Sequence, residues 1–213
     1  MSDSGFFVSV EGLDGSGKTT QVGLLAQTLA TTGRRVTVVR DPGSTALGER
    51  VRDLLLEPRA GAPVSHWAET ALFLASRLQL AEEVIRPALT HGDVVVSDRY
   101  LDSTLAYQGA RGISRCEILE LHRLFGLTRL PDLTVILDLP VVLAQTRRES
   151  GTAPDRMEQE SSSYHERVRA GYLDLAGQFP DRIVVLDADR PADEIARQCG
   201  SLVKDRLNVG RAT

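Results

Sequence analysis

The sequence predicts an α/β domain in three layers, with a five-stranded parallel sheet covered on both faces by helices. Five short runs rich in Val, Ile and Leu show little apolar–polar alternation, as expected of strands buried on both sides. Segments with apolar residues at helical spacing fill the gaps between them. Alternation of the two predicts a parallel sheet with right-handed crossovers.

The first strand is Phe6–Glu11. After it comes GLDGSGKTT, in which Gly12 precedes Leu13, Asp14, Gly15 and Ser16, then Gly17, Lys18, Thr19 and Thr20. That is the spacing of a phosphate-binding loop. Its glycines let successive N–H groups turn toward an anion, and the helix starting near Lys18 adds its positive end. Val22, Leu25, Ala26 and Leu29 give that helix its apolar face. Lys18 and Lys204 are the chain's two lysines, every other fixed cation being arginine. A compact ammonium lies among phosphate oxygens where a broad guanidinium would crowd the loop.

Arg35–Arg40 is the second strand, and a helical pattern runs from His66 to Leu89. Asp93–Asp98 and Asp132–Leu139 are the third and fourth strands. A further helix covers Ser163–Gly177, and Arg182–Ala188 is the fifth strand. The polar, charge-rich stretch Arg147–Ser161 carries Gly and Pro and is predicted as a lid, at about residues 147–160.

The chain has 213 residues, which predicts one domain, residues 1–213, with a sizeable core. A net charge of −4 excludes general nucleic-acid affinity, which needs a dense basic face. It does not exclude a nucleotide, which a few local donors can hold. No apolar run is long enough to span a bilayer, so no membrane partner is expected. The polar start MSDSG resembles neither a signal peptide nor a presequence, which makes the cytoplasm the default. Cys116 and Cys199 form no CxxC and are expected as buried small apolar residues. His66, His91, His122 and His165 are scattered, with no ligand spacing. The chain's one asparagine, Asn208, precedes Val209, so the Asn-Lys-x-Asp reader of a guanine-nucleotide switch is missing.

SDRYLDSTLAYQG (Ser97–Gly109), together with the phosphate loop, VRDPGST, LFLASR and DRMEQES, resembles the thymidylate kinase family of bacteria. The resemblance runs from about Phe6 to the last helix. It implies the phosphate-loop kinase fold, transfer of the γ-phosphoryl of ATP to thymidine monophosphate with Mg²⁺, and a homodimer. Such chemistry asks for cations and backbone donors rather than a general base, because the acceptor oxygen is already anionic.

By this resemblance, residues 12–20 hold ATP and Lys18 bridges its β- and γ-phosphates. Thr19 and Asp98 stand on the metal side. Arg99 and Arg40 meet the acceptor phosphate, and Asp14 lies near that nucleotide's sugar and phosphate. Phe73 and Arg77, four apart on one helix, share a face; Phe73 stacks on thymine and Arg77 bonds its O4. Thr104 addresses N3, Tyr107 packs against C2′ to exclude a ribose hydroxyl, and Gln108 belongs to the same pocket. The loop contains no arginine, which implies catalytic arginines in the lid: Arg147, Arg148 and, best matched, Arg156.

Three departures stand out. Asp41 replaces the family's common Glu, Ser44 replaces a Gly, and Ser76 replaces an Asp beside Arg77, removing an expected partner. Two other readings of the same residues are a kinase of another nucleoside monophosphate or deoxynucleoside, and an inert nucleotide-binding protein.

Overall fold

The computed structural model describes residues 5–56, 64–149 and 155–209. Its elements run β1 (Phe6–Gly12), α1 (Lys18–Ala30), β2 (Val36–Arg40), α2 (Ala46–Leu56), α3 (His66–Leu80), α4 (Arg86–Thr90), β3 (Val94–Asp98) and α5 (Leu101–Ala110). They continue with α6 (Arg115–Leu124), β4 (Leu133–Asp138), α7 (Val141–Glu149), α8 (Ser162–Gln178), β5 (Ile183–Asp187) and α9 (Ala192–Val209). All five predicted strands form, in one parallel sheet of order β2-β3-β1-β4-β5.

Burial accounts for the apolar runs. Phe7, Val8, Val10, Val94, Val95, Val96, Leu133, Val135 and Ile136 are almost wholly buried, whereas Val38 and Val185 on the two edge strands are exposed. Strands covered on both faces have no polar side to alternate with.

Register fixes where the chemistry can sit. Val10 and Arg40 both stand opposite Asp98, and Gly12 stands opposite Leu137, so the carboxyl ends of β1, β2, β3 and β4 come level. After β1 the chain crosses to one side of the sheet, and after β3 to the other. Ligands of open α/β sheets bind in the crevice such a reversal opens.

Two expectations change. The helical pattern over residues 66–89 is interrupted by a π-helical stretch, Ala81–Ile85, just before Pro87, whose ring has no N–H to donate. Cys199 is buried as expected, but Cys116 is exposed. It lies on the outer side of α6, whose inward residues are Ile118 and His122. Among the described residues, no helix is long and apolar enough to cross a membrane. Of the predicted lid, residues 150–154 lie outside the described residues.

Candidate active site

At the carboxyl end of β1 the chain must turn sharply, and glycine permits it. Gly12 has φ 138°, and a Cβ there would come within 2.5 Å of the Leu137 carbonyl oxygen. Gly15 has φ 87° and would meet the Ala144 carbonyl at 2.4 Å. A side chain at either position would push the loop off its neighbours. Helix α1 starts at Lys18 with no side-chain cap, which leaves its first amides as donors for an anion. The buried Lys18 ammonium donates to the Leu13 carbonyl at 2.9 Å and to Asp14 Oδ1 at 3.4 Å. Burial, and then the nearby charge of Arg99, depress its pKa. Thr19 Oγ1 donates to Asp98 Oδ2 at 2.7 Å.

Lys18, Thr19 and Asp98 line a cleft whose wall carries Lys18, Arg40, Arg52, Arg99 and Arg147 against Asp14, Asp98 and Glu158. A second cleft adjoins it, lined by Phe73, Arg77, Thr104, Tyr107 and Gln108 among others. Asp14, Arg52 and Arg99 belong to both walls.

Arg99 holds the two together. Its φ of 70° is left-handed, which costs a non-glycine residue about 1 kcal/mol or more. The surroundings hold it there. Arg99 N–H donates to the Val10 carbonyl, Ser97 Oγ donates to the Arg99 carbonyl at 2.6 Å, and Tyr100 N–H donates to Glu11 Oε1 at 2.7 Å. The guanidinium reaches Asp14 Oδ1 at 2.5 Å, the Gly12 carbonyl, the Ser103 hydroxyl, and the hydroxyls of Tyr107 and Tyr172. It also lies over the Tyr107 ring, 5.0 Å from the centroid. Burial works to raise the Asp14 pKa, but Arg99 and Lys18 outweigh it and hold that carboxyl well below the usual range.

Behind Arg99 sits Glu11, fully buried, which sequence reasoning missed. Its Oε2 accepts from Ser103 Oγ at 2.5 Å and from the Tyr172 hydroxyl at 3.1 Å. Burial, and then the charge of Asp102, push its pKa up to about 7.

The second cleft is organised by Arg77, whose side chain is only 1% exposed. Its Nε donates to Asp41 Oδ2 at 2.5 Å, and Nη2 donates to the Tyr100 carbonyl and to Thr104 Oγ1. Asp41, just past β2, therefore supplies the partner whose loss the Ser76 departure implied. Ser76 Oγ instead accepts from Gly43 N–H. Burial raises the Asp41 pKa, and Arg77 opposes it. Ser44, in the family's Gly position, has φ 63°, and its hydroxyl accepts the Arg40 N–H at 2.8 Å. Phe73 is half-buried on the cleft wall. Tyr107 is buried, its phenol pushed up by that burial, and Gln108 donates to Glu69 Oε1 at 3.0 Å.

Four of the expected cations also hold partners within the protein. Arg40 lines the phosphate-side cleft and forks onto Glu49. Arg147 lines the same cleft while bonded to the Ala188 carbonyl and Asp189. Arg148 runs beside Gly15 and reaches the Glu158 carbonyl. Arg156 is turned onto α2 and α3, donating to the Leu55 carbonyl and to buried Glu69, and it lines neither cleft. Arg52 was missed altogether. It sits on α2, donates to the Pro42 carbonyl and faces both clefts.

Among the described residues, no three His, Cys, Asp or Glu side chains gather as a metal cage. The Thr19 hydroxyl and the Asp98 carboxylate it donates to are hard oxygens side by side in the phosphate-side cleft, a pair that suits Mg²⁺, which takes few protein ligands and shares the rest with phosphates and water.

Known proteins are similar to this chain along most of its length. Residues 10–199 match the family model described as Thymidylate kinase. A thymidylate kinase from Deinococcus radiodurans is 46% identical over 205 residues, covering 95% of this chain and 98% of its own. One from Syntrophotalea carbinolica is 43% identical, covering 96% and 97%. The crystal structure of thymidylate kinase from Ehrlichia chaffeensis superposes with a TM-score of 0.77 at 30% identity, covering 94% of this chain and 99% of that one. The family model and these relatives agree with this sequence along nearly the whole chain, and the chain belongs to the thymidylate kinase family.

Proposed function

We propose that this phosphotransferase moves the γ-phosphoryl group of ATP to the phosphate of thymidine monophosphate, releasing ADP and thymidine diphosphate. The shared wall carries the reading: two nucleotides seated in the adjoining clefts would meet at Arg99, between Asp14 and Arg52. An oxygen of the acceptor phosphate attacks the γ-phosphorus in line. The bond from that phosphorus to the bridging oxygen breaks, and its electron pair stays with ADP. No proton needs removing, so the protein's work is alignment and compensation of charge.

Lys18 and the first amides of α1 would take the donor phosphates. Thr19 and Asp98 would hold Mg²⁺, which when bound neutralises charge on the phosphates. Arg99 and Arg52 would grip the acceptor phosphate, and Arg40 would reach it from the wall of the phosphate-side cleft. Phe73 would stack on the base, Arg77 would bond O4, and the second lone pair of Thr104 Oγ1 would accept N3–H. The Tyr107 ring would fill the space of a ribose 2′-hydroxyl. Arg147 and Arg148 are the lid cations nearest the phosphates, and Arg156 would join them on leaving Glu69. We further propose a cytoplasmic homodimer. Exposed Leu47, Leu54 and Trp67, on the packed pair α2 and α3, supply apolar surface for it.

A coupled ADP-release assay with the monophosphates of thymidine, deoxyuridine, cytidine and guanosine tests the proposal. Thymidine monophosphate should give the highest kcat/KM. Equal turnover of all four, or no ADP at all, would refute it.

A further inference from the structure

We infer that His122 is a positioning residue for base recognition: as a neutral imidazole with its proton on Nδ1, it fixes the guanidinium of Arg77 against the nucleotide cleft.

The geometry assigns the proton. His122 Nδ1 lies 2.7 Å from the Ile118 carbonyl oxygen, which can only accept, so Nδ1 donates. His122 Nε2 lies 2.8 Å from Arg77 Nη1, which can only donate, so Nε2 accepts. An imidazolium would place a proton against the arginine, and the other tautomer would leave both contacts unmade. The surroundings favour the neutral ring, since burial and then the charge of Arg77 push its pKa down to about 4.

Helix α6 delivers the ring. It starts with a capping box between Ser114 and Glu117, and wholly buried Ile118 anchors it one turn before His122. His122 is 4% exposed and reaches Arg77 from a direction that the other partners, on β2's end and on the start of α5, do not cover.

A count of donors shows what this does. Arg77 has five N–H groups, and among the described residues four of them meet acceptors: Asp41, His122, the Tyr100 carbonyl and Thr104. One Nη1 N–H remains on a guanidinium that lines the cleft. His122 is the only one of the four partners on Nη1. Without it, that nitrogen would carry two unmatched donors and the guanidinium plane would lose its hold on one side. The inference rests on reading Arg77 as the group that bonds the 4-oxygen of the base.

The test measures KM and kcat for thymidine monophosphate and for its 4-thio analogue, which keeps N3–H but accepts hydrogen bonds poorly. Wild type, His122→Leu and His122→Gln are compared at saturating ATP. In wild type the analogue should have a KM about tenfold higher, the effect of one weakened hydrogen bond. His122→Leu, which lacks the acceptor at similar volume, should raise the KM for thymidine monophosphate about tenfold, with kcat changed less than about threefold. It should also shrink the oxo/thio ratio toward one. His122→Gln, whose Oε1 can stand in for Nε2, should recover most of both. A wild-type oxo/thio ratio of one overturns the base-reading role of Arg77, and this inference with it. A large wild-type ratio left unchanged in His122→Leu, with an unchanged KM, overturns the inference alone. Should His122→Leu fail to fold, ¹⁵N spectra of the wild-type imidazole at neutral pH decide. A protonated Nδ1 and bare Nε2 are expected, and a proton on Nε2 refutes the assignment.

Discussion

Replacing Glu11 by Gln should make the protein more stable at alkaline pH and a poorer enzyme at the same time. In the folded chain the Glu11 carboxyl has its pKa pushed up from 4.5 to about 7, first by burial and then by Asp102, against the pull of Ser103, Arg99 and the Tyr100 amide. Below pH 4.5 both folded and unfolded chains carry the proton, and nothing is lost. As pH rises from there through 7, the unfolded chain gives up its proton first, so the folded state weakens. Over the full window the loss approaches about 3 kcal/mol, and between pH 5 and pH 8 it is about 2 kcal/mol. Glutamine carries no such proton. Its Oε1 can keep the Tyr100 N–H, while its amide faces the Ser103 and Tyr172 hydroxyls, which can turn to accept. Urea unfolding of both proteins at pH 5 and pH 8 measures the effect. Subtracting one pH dependence from the other removes every titration they share. Wild type should lose about 2 kcal/mol more than Glu11→Gln across that interval. Parallel pH dependences would show that Glu11 does not titrate in this range and would refute the reasoning. Because Ser103 also bonds Arg99, kcat/KM for the acceptor should fall on the order of tenfold in the variant, the effect of one weakened hydrogen bond.

Lys18→Ala should fold normally and lose on the order of hundreds-fold or more in kcat, as when other preorganised charge contacts are removed; near-normal turnover in the folded variant would sink the mechanism. Arg156→Ala should lower kcat more than it raises the KM for thymidine monophosphate, if the arginine leaves Glu69 to engage the transferring group. A change in KM alone would assign it to ground-state binding. Tyr107→Ala should weaken the preference for deoxyribose over ribose in thymine monophosphates by about tenfold or more, because a packed ring yields little to an added hydroxyl. Tyr107→Phe should keep most of that preference while losing the hydroxyl's contacts with Arg99 and Asp14, so comparison of ribo/deoxy kcat/KM ratios separates the ring from the hydroxyl.

The sheet was legible because buried parallel strands leave a mark every few residues: Val94–Val96 need no partner in view to be read as core. The phosphate loop was legible for a related reason, since its glycines answer to a local backbone demand. What escaped was side chains whose meaning lies far along the chain. Glu11 acts on Ser103 and Tyr172, and Glu69 ties Gln108 to Arg156, across separations no periodicity records. Arg52 looks like any solvated helix arginine until α2 is folded over both clefts. The partner of Arg77 was sought next door, where Ser76 stands, and was found thirty-six positions earlier at Asp41. Ser44 is a different case, because its cost is conformational: it adopts a backbone shape glycine takes freely, and its bond to the Arg40 N–H offsets part of the strain.

Asp14 Oδ1 is shared, with the Lys18 ammonium 3.4 Å away on one side and the Arg99 guanidinium 2.5 Å away on the other. With the donor phosphates at Lys18 and the acceptor phosphate at Arg99, as proposed, two binding equilibria would draw on one negative charge. An anion that pulls Lys18 toward itself leaves the carboxylate to Arg99 alone, tightening that pair and reducing what the guanidinium has left for a second anion. The reverse holds for an anion arriving first at Arg99. Through this carboxylate alone, each nucleotide would weaken the other's hold, and thermodynamic linkage would require the two factors to be equal.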